Sequence, residues 1–145
     1  MSGIVVGVDG SPNSEVALSW AMNEAAKVHA PLTVLAVSEA MKSYWTGNPD
    51  PVALDASKLD KMRQAADELT QKVASGLGDA QPTSVNVQVV YGFPARELVE
   101  ASHGADLVVV GSRGGGGFSR LMLGSVSSQV VEHAACPVVV IPHQK

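Results

Sequence analysis

Short apolar runs alternate along this chain with longer segments in which apolar residues recur every three or four positions. The runs predict strands, and the three- and four-residue spacing predicts helices that bury one face. Strands are expected at positions 4–9, 32–37, 85–89, 107–110 and 138–141. Helices are expected at about 11–29, 59–76 and 94–103, and from 124 onward.

The order of these elements predicts an α/β fold. Strands that alternate with helices imply a parallel sheet with helices on both faces. We therefore expect an open, five-stranded sheet of Rossmann-like type in a single domain over residues 1–145. Val85, Val87 and Val89 alternate with polar residues, which predicts a half-buried strand at or near a sheet edge.

A glycine-rich stretch follows the fourth predicted strand. Gly111 ends that strand, positions 114–117 are all glycine, and Gly124 stands where the next helix begins. Glycines let backbone N–H groups approach phosphate oxygens closely, and a helix N-terminus favours negative charge. Ser125 and Ser127 would add hydroxyl donors. The stretch is therefore an anion site in outline, at the edge where ligands of parallel sheets bind.

Composition and charge narrow the classes of function. Hydrophobic residues make up 46% of the 145 residues against 17% charged, which indicates a folded chain with a real core. The net charge is −4 without a basic stripe, so nucleic acid is not an expected partner. We expect no signal peptide and no membrane span, and the single cysteine fits a reducing compartment. A cytoplasmic location is therefore expected.

The spacing Gly111-x2-Gly114-x9-Gly124-Ser125 resembles the nucleotide-binding signature of the universal stress protein family. The first strand IVVGVD at 4–9, the sequence GFP at 92–94 and the last strand CPVVV at 136–140 are also similar to the family. The resemblance covers nearly the whole chain. It implies the ATP-binding branch of the family and a fold like that of the adenine nucleotide alpha hydrolases.

The resemblance also implies where the nucleotide would lie. ATP would lie across the strand ends, with Asp9 beside the adenosine and the backbone of Val37 recognising adenine. Mg²⁺ would depend on the phosphates and water, because Asp9 is the only evident carboxylate nearby. The expected nucleotide-binding residues are Asp9, Gly10, Ser11, Val37, Gly111, Ser112, Arg113, Gly114, Gly115, Gly116, Gly117, Gly124, Ser125, Val126 and Ser127.

Several catalytic patterns are missing from the sequence. A Walker loop needs lysine before the hydroxyl residue, whereas Leu123 precedes Gly124 and Ser125 here. No general base is evident for the phosphates, and the histidines form no metal-binding pattern. We therefore expect a regulatory protein that binds ATP and changes conformation or partner. A slow ATPase and a dimeric interaction module that binds no nucleotide are the alternatives.

Several other residues allow two interpretations. Asp9 either contacts the nucleoside or only stabilises its turn and the following helix. Arg113 and Arg120 either pair with phosphate or are solvated. The irregular stretch 38–55 is either a lid or partner surface, or a variable surface loop. Cys136 is expected to be a small buried residue rather than a reactive thiol.

The last predicted strand, Val138–Ile141, is apolar throughout. Such a strand at a sheet edge is a liability unless another strand pairs with it. The resemblance implies that its partner is the same strand of a second subunit, related by a two-fold axis. The alternative is a strand flanked on both sides within one chain.

Overall fold

The computed structural model describes residues 3–39, 56–112 and 124–142, which form a sheet with helices on its faces. None of the helices in these ranges is long and apolar enough to cross a membrane. The strands are β1 (Ile4–Val8), β2 (Leu32–Glu39), β3 (Val85–Gly92), β4 (Leu107–Gly111) and β5 (Val138–Ile141). The helices are α1 (Pro12–Lys27), α2 (Ala56–Ser75), α3 (Pro94–Ser102) and α4 (Ser125–His133).

The sheet has the strand order β3-β2-β1-β4-β5, and each neighbouring pair is parallel. The predicted five-stranded parallel α/β fold is thus confirmed. From β1 the chain moves outward through β2 to β3, and it then returns to place β4 on the other side of β1. The strand order therefore reverses between β1 and β4, which is where sheets of this kind bind ligands. β3 lies at one edge, as predicted, and β5 lies at the other.

The sheet buries an apolar layer on each face. α1 and α2 cover one face, where Leu18, Met22 and Val34 are fully buried. α3 and α4 cover the other face, where Val108 and Val130 are fully buried. Successive residues of a strand point to opposite faces. A strand covered on both faces is therefore apolar at every position, which explains the unbroken apolar runs of β1 and β4.

The C-terminus of α1 closes with a non-glycine residue in the left-handed conformation. His29 has a φ of 57°, a value that glycine adopts far more readily. Its main-chain N–H donates to the carbonyl of Ala26 at 3.3 Å, and that of Ala30 donates to the carbonyl of Ala25 at 2.8 Å. This pair of bonds is the Schellman motif, in which glycine is the usual residue at the position of His29.

Two sequence-based expectations are wrong in detail. β2 continues through Ser38 and Glu39 because both residues pair with the last two residues of β3. Val37 therefore lies inside the strand, and only positions 40–55 of the irregular stretch lie outside the described residues. Cys136 is half-buried rather than buried, because it lies in the bend that precedes the edge strand β5.

Candidate functional site

The carboxyl ends of β2, β1 and β4 lie side by side in the middle of the sheet. β1 pairs with β2 so that Asp9, the residue after β1, is level with Val37. The register of β1 on β4, continued by two residues, places Val8 level with Gly111. The structure therefore brings Asp9, Val37 and Gly111 into one row at the point where the strand order reverses.

Asp9, Gly10 and Ser11 form the turn that joins β1 to α1. Oδ1 of Asp9 accepts a hydrogen bond from the main-chain N–H of Ser11 at 2.9 Å. Oγ of Ser11 accepts one from the main-chain N–H of Ser14 at 3.2 Å and caps the helix. Gly10 has a φ of 83°, which favours glycine. Asp9 thus stabilises its turn, and its contact with the nucleoside stays a prediction.

The exposed carboxylate of Asp9 keeps one oxygen for a ligand. Oδ1 is held by Ser11, whereas Oδ2 has no hydrogen-bond partner among the described residues. An ionised carboxylate oxygen is an acceptor only. A ligand that donates hydroxyl groups at the end of β1 would satisfy it.

The main-chain groups of Val37 point toward β1, beyond the residue where β1 ends. The main-chain N–H of Leu32 donates to the carbonyl of Ser84, on the β3 side of the strand. In a parallel strand the direction of the main-chain groups alternates with each residue, so the groups of Val37 point to the other side. β1 ends at Val8, opposite Ala36. The carbonyl of Val37 therefore faces the reversal point.

The start of α4 is attached directly to the end of β4. The main-chain carbonyl of Ser112 accepts hydrogen bonds from the main-chain N–H of Gly124 at 2.6 Å and from Oγ of Ser127 at 2.9 Å. The main-chain N–H of Ser112 in turn donates to the carbonyl of Ile141 in β5 at 2.8 Å. Ser112 thus joins the first turn of α4 to two strands.

The three predicted residues in the first turn of α4 have different surroundings. Ser125 is exposed, Val126 packs partly against the core, and Ser127 is only 2% exposed. The hydroxyl of Ser127 has a single hydrogen, and its acceptors are the carbonyls of Ser112 and Gly124. In this arrangement the hydroxyl of Ser127 supports the helix, and its predicted contact with a ligand stays a prediction.

In the described part of the chain, the N-terminus of α4 has no side-chain cap and no acidic residue in its first turn. Gly124 is its N-cap residue, with a φ of −72° and a ψ of 171° and no side chain to cap the helix. This extended conformation suits any residue, so backbone strain does not explain the glycine. The first turns of α1 and α3 contain Glu15 and Glu97, whereas that of α4 contains no acid. Within the described residues, the positive end of the α4 dipole thus faces neither a side-chain cap of its own nor an acidic side chain of its first turn.

Asn13 is the site residue that sequence reasoning missed. Its side chain is 3% exposed and lies against Gly111, Ser112 and the end of β5. A signal was present in the sequence. Positions 17, 21 and 25, which follow Asn13 at four-residue intervals on the buried face of α1, are all alanine. A polar residue at the end of such an apolar stripe needs polar partners in the interior.

Some of the predicted site residues lie outside the described residues. These are Arg113 and the glycines at 114–117, and Arg120 lies outside them as well. Their contact with phosphate therefore stays a prediction.

A separate groove between α1 and α2 has a volume of about 680 Å³ and contains none of the predicted site residues. Val16, Trp20 and Leu77 line it, together with the ion pair between Lys72 and Glu15 at 3.2 Å. Within the described part of the chain, no three histidine, cysteine or acidic side chains come together as a metal site.

The fold and the site define a doubly wound α/β protein whose candidate ligand site lies where the strand order reverses. The family model described as the universal stress protein family matches residues 1–142, so the chain belongs to that family. A universal stress protein of Mycobacterium tuberculosis is 39% identical over 139 residues, which are 96% of this chain and 47% of the relative. The chain thus spans about half the length of the curated relatives that it matches.

Solved structures of the family have the same fold. The universal stress protein UspA from Lactobacillus plantarum has a TM-score of 0.76 at 28% identity, with 95% of each chain covered. A universal stress protein in complex with cAMP has a TM-score of 0.65 at 24% identity, covering 95% of this chain and 94% of that chain. The universal stress protein from Archaeoglobus fulgidus in complex with dAMP has a TM-score of 0.63 at 21% identity, covering 96% of each chain.

Proposed function

We propose that this protein binds an adenine nucleotide at the ends of β1 and β4 and acts as a regulatory protein in a stress response. The observation that carries the proposal is the start of α4, which among the described residues has neither a side-chain cap nor an acid in its first turn and is bonded to Ser112 at the end of β4. The first backbone N–H groups of such a helix are free to bind phosphate oxygens. Nucleotide phosphates would lie there.

The nature of the ligand is supported by the structural neighbours. Two of them are complexes with cAMP and with dAMP, which are both adenine nucleotides. We propose ATP as the ligand of this chain, because the glycine spacing from Gly111 to Ser125 resembles that of the ATP-binding branch. Mg²⁺ would enter with ATP, coordinated mainly by phosphate oxygens and water.

The residues at the ends of β1, β2 and β4 would contact different parts of the nucleotide. The remaining oxygen of Asp9 would accept hydrogen bonds from the ribose hydroxyls, and the carbonyl of Val37 would accept one from the amino group of adenine. Gly10 and Ser11 would shape the turn beside the ribose. The phosphates would contact the segment from Ser112 to Val126, including Arg113 and the glycines at 114–117, and Ser127 would hold that segment from below.

We propose a regulatory role rather than catalysis. Phosphoryl transfer needs a group that positions the nucleophile and cations at the phosphates. The described residues of the site include no lysine or arginine, and Asp9, the one candidate base among them, lies at the end of β1 rather than at the start of α4. A slow ATPase and an interaction module that binds no nucleotide are distinct outcomes of the experiment below.

The test begins with the purified protein. Heat denaturation should release bound adenine nucleotide into the supernatant, and titration of nucleotide-free protein with ATP should show saturable binding. Incubation with ATP and Mg²⁺ should leave the ATP intact over many binding lifetimes. Rapid formation of ADP would favour the ATPase, whereas absence of both release and titratable binding would favour the interaction module.

We also propose that two copies pair through β5. β5 lies at the sheet edge, and the carbonyls of Pro137 and Ile141 point toward β4, where they accept hydrogen bonds. The alternation of main-chain directions then points the N–H groups of Val138 and Val140 outward. Sedimentation at micromolar concentration should show a dimer. Val140→Pro, which removes an outward N–H, should give a folded monomer.

We further propose that residues 1–145 form a single domain and that the protein works in the cytoplasm. Cys136 is the single cysteine, so the chain contains no internal disulfide, in agreement with a reducing compartment. Cell fractionation with an antibody against the protein would test the location, since recovery in a secreted or membrane fraction would contradict it.

A further inference from the structure

The buried side chain of Asn13 joins the ends of β4 and β5 to the start of α1. Its Nδ2 donates to the main-chain carbonyls of Ile141 at 3.3 Å and Pro142 at 3.4 Å. Its Oδ1 accepts a hydrogen bond from Oγ of Ser112 at 3.4 Å. The NH₂ group of the amide thus bonds to Ile141 in β5, 128 positions away in sequence. The amide oxygen bonds to Ser112, the residue after β4, which is 99 positions away.

The side chain of Asn13 packs closely against β4, with no space for a methyl group on Gly111. A Cβ atom placed on Gly111 would lie 2.9 Å from both Cγ and Oδ1 of Asn13, closer than such atoms approach in folded proteins. The backbone of β4 thus lies directly against the amide. The next residue is Ser112. Its main-chain carbonyl accepts hydrogen bonds from the N–H of Gly124 and from the hydroxyl of Ser127. A displacement of Asn13 would therefore reach the first turn of α4 through one intervening residue.

We propose that Asn13 is a positioning residue for the phosphate-binding end of the site, an inference that rests on the proposed nucleotide function. Ser112 already bonds through its main-chain N–H to Ile141 of β5 and through its carbonyl to the first turn of α4. The amide of Asn13 reinforces this connection, because it bonds to the side chain of Ser112 and to the carbonyl of Ile141. In this proposal Asn13 acts on the phosphates only through Ser112.

A purely structural role makes a different prediction from a positioning role. If Asn13 only stabilises the fold, its loss should leave the affinities for ATP and adenosine unchanged in the folded protein, or weaken both to the same degree. If it positions the phosphate-binding end, its loss should weaken ATP and leave adenosine unchanged, because adenosine carries no phosphate. The ratio of the adenosine dissociation constant to the ATP dissociation constant therefore separates the two roles.

The experiment compares Asn13→Ala with a matched control, Ser102→Ala. Ser102 is also buried, and its Oγ accepts a hydrogen bond from the main-chain N–H of Ala135 at 2.8 Å, before β5. Both variants remove side-chain hydrogen bonds near β5. Asn13→Ala removes those at its carboxyl end, and Ser102→Ala removes the one to Ala135, before its first residue. Dissociation constants of ATP and adenosine are measured by calorimetry and competition at a temperature where each variant is fully folded. Asn13→Leu, of similar size, replaces Asn13→Ala if the alanine variant does not fold.

We expect the Asn13 variant to bind ATP about tenfold more weakly, which corresponds to about 1.4 kcal/mol, and adenosine as the parent does. Ser102→Ala should leave the ratio unchanged. Equal weakening of ATP and adenosine, or an unchanged ATP constant, overturns the inference while nucleotide binding by the parent stands. A parent protein that binds no adenine ligand overturns the proposed function and this inference with it.

Discussion

The hydroxyl of Ser127 donates a hydrogen bond to the main-chain carbonyl of Ser112, 2.9 Å away and 15 positions earlier in the chain. The bond passes from the buried side of α4 to the residue after β4. The same carbonyl accepts the main-chain N–H of Gly124. Two hydrogen bonds thus connect the end of β4 to the start of α4. The position of the α4 N-terminus therefore depends on the side chain of Ser127, which can hold it without contacting a ligand.

Replacing Ser127 by alanine should lower the free energy of unfolding by about 1 kcal/mol, the usual net value of a buried hydrogen bond. The carbonyl of Ser112 would keep its bond from Gly124, so it would not be left without a donor. Ser125→Ala is the matched control, because Ser125 is exposed in the same turn and should change stability by less than about 0.5 kcal/mol. Urea denaturation measures both. Equal effects of the two changes would contradict the assignment of Ser127.

Gly111→Ala should be destabilising by about 1–3 kcal/mol, because its new Cβ would lie 2.9 Å from Cγ and Oδ1 of Asn13. Gly104→Ala is the control, since a Cβ there meets no atom within 4 Å. The cost should fall when Gly111→Ala is combined with Asn13→Ala, because the smaller side chain removes the clash. Additive costs in the double variant, measured by thermal or urea unfolding, would show that the two residues are not in contact.

The sequence predicts best those helices and strands whose ends are set by residues nearby in the chain. β5 is predicted at 138–141, and the structure has the same bounds. Pro137 and Pro142 explain this accuracy, because proline lacks the N–H group that a strand interior needs. The N-terminus of α4 was predicted from Gly124 for a similar reason, since glycine there marks the junction of loop and helix.

Features that depend on distant residues could not be predicted in the same way. The extension of β2 to Glu39 follows from pairing with β3, and nothing in the local sequence marks it. The role of Asn13 depends on groups more than 90 positions away. The hydrogen bond from Ser127 to Ser112 could not be predicted either, because the carbonyl that accepts it lies 15 positions earlier in the chain.

His29→Gly should stabilise the protein by about 0.5–1 kcal/mol. The left-handed conformation costs an L-residue about 1–2 kcal/mol, and His29 has a φ of 57°. Part of this gain is offset by the greater entropy of glycine in the unfolded chain. His103 is the control: it also ends a helix, but its φ of −65° is right-handed, so His103→Gly should not stabilise. Thermal unfolding of both variants would test this, and stabilisation by both would contradict it.

The thiol of Cys136 should react slowly near neutral pH. Partial burial, and then the negative charge of Asp106, raise the pKa of Cys136 above its ordinary value. Because only the thiolate is nucleophilic, iodoacetamide at pH 8 should alkylate the folded protein more slowly than the unfolded chain. Asp106→Asn should lower the pKa and speed alkylation, while its side-chain oxygen can still accept the N–H of Gly3. A slower reaction of Asp106→Asn would contradict the electrostatic cause.

The same raised pKa sets the sign of a pH effect on stability. The unfolded chain releases the proton of Cys136 at a lower pH than the folded protein does, because the folded-state pKa is raised. Between the two pKa values the folded protein binds more protons, so this contribution to stability falls as the pH rises through the ordinary cysteine value. Cys136→Ser should remove that part of the alkaline slope. An identical slope in parent and variant, measured by urea unfolding, would contradict the shift.

Gly124→Val should weaken nucleotide binding strongly while the protein remains folded. A β-branched side chain at the start of α4 should prevent close approach of phosphate and remove hydrogen bonds to charged oxygens, each worth about 1.5–3 kcal/mol. ATP binding should weaken by about 10- to 1,000-fold. The folding cost should be about 1–3 kcal/mol, because Gly124 is buried and the added side chain must be accommodated there. No cost from a left-handed conformation is expected, because Gly124 has a φ of −72°.

Calorimetric titration and circular dichroism together test the Gly124→Val prediction. The variant should keep the circular dichroism spectrum and the sedimentation of the parent, because a domain stable by about 5–15 kcal/mol tolerates the folding cost. Asp9→Ala should weaken ATP binding less, since it removes a nucleoside contact and leaves the start of α4 intact. If Gly124→Val bound ATP as tightly as the parent, the phosphates could not lie at the start of α4, and the proposed nucleotide site would have to be placed elsewhere.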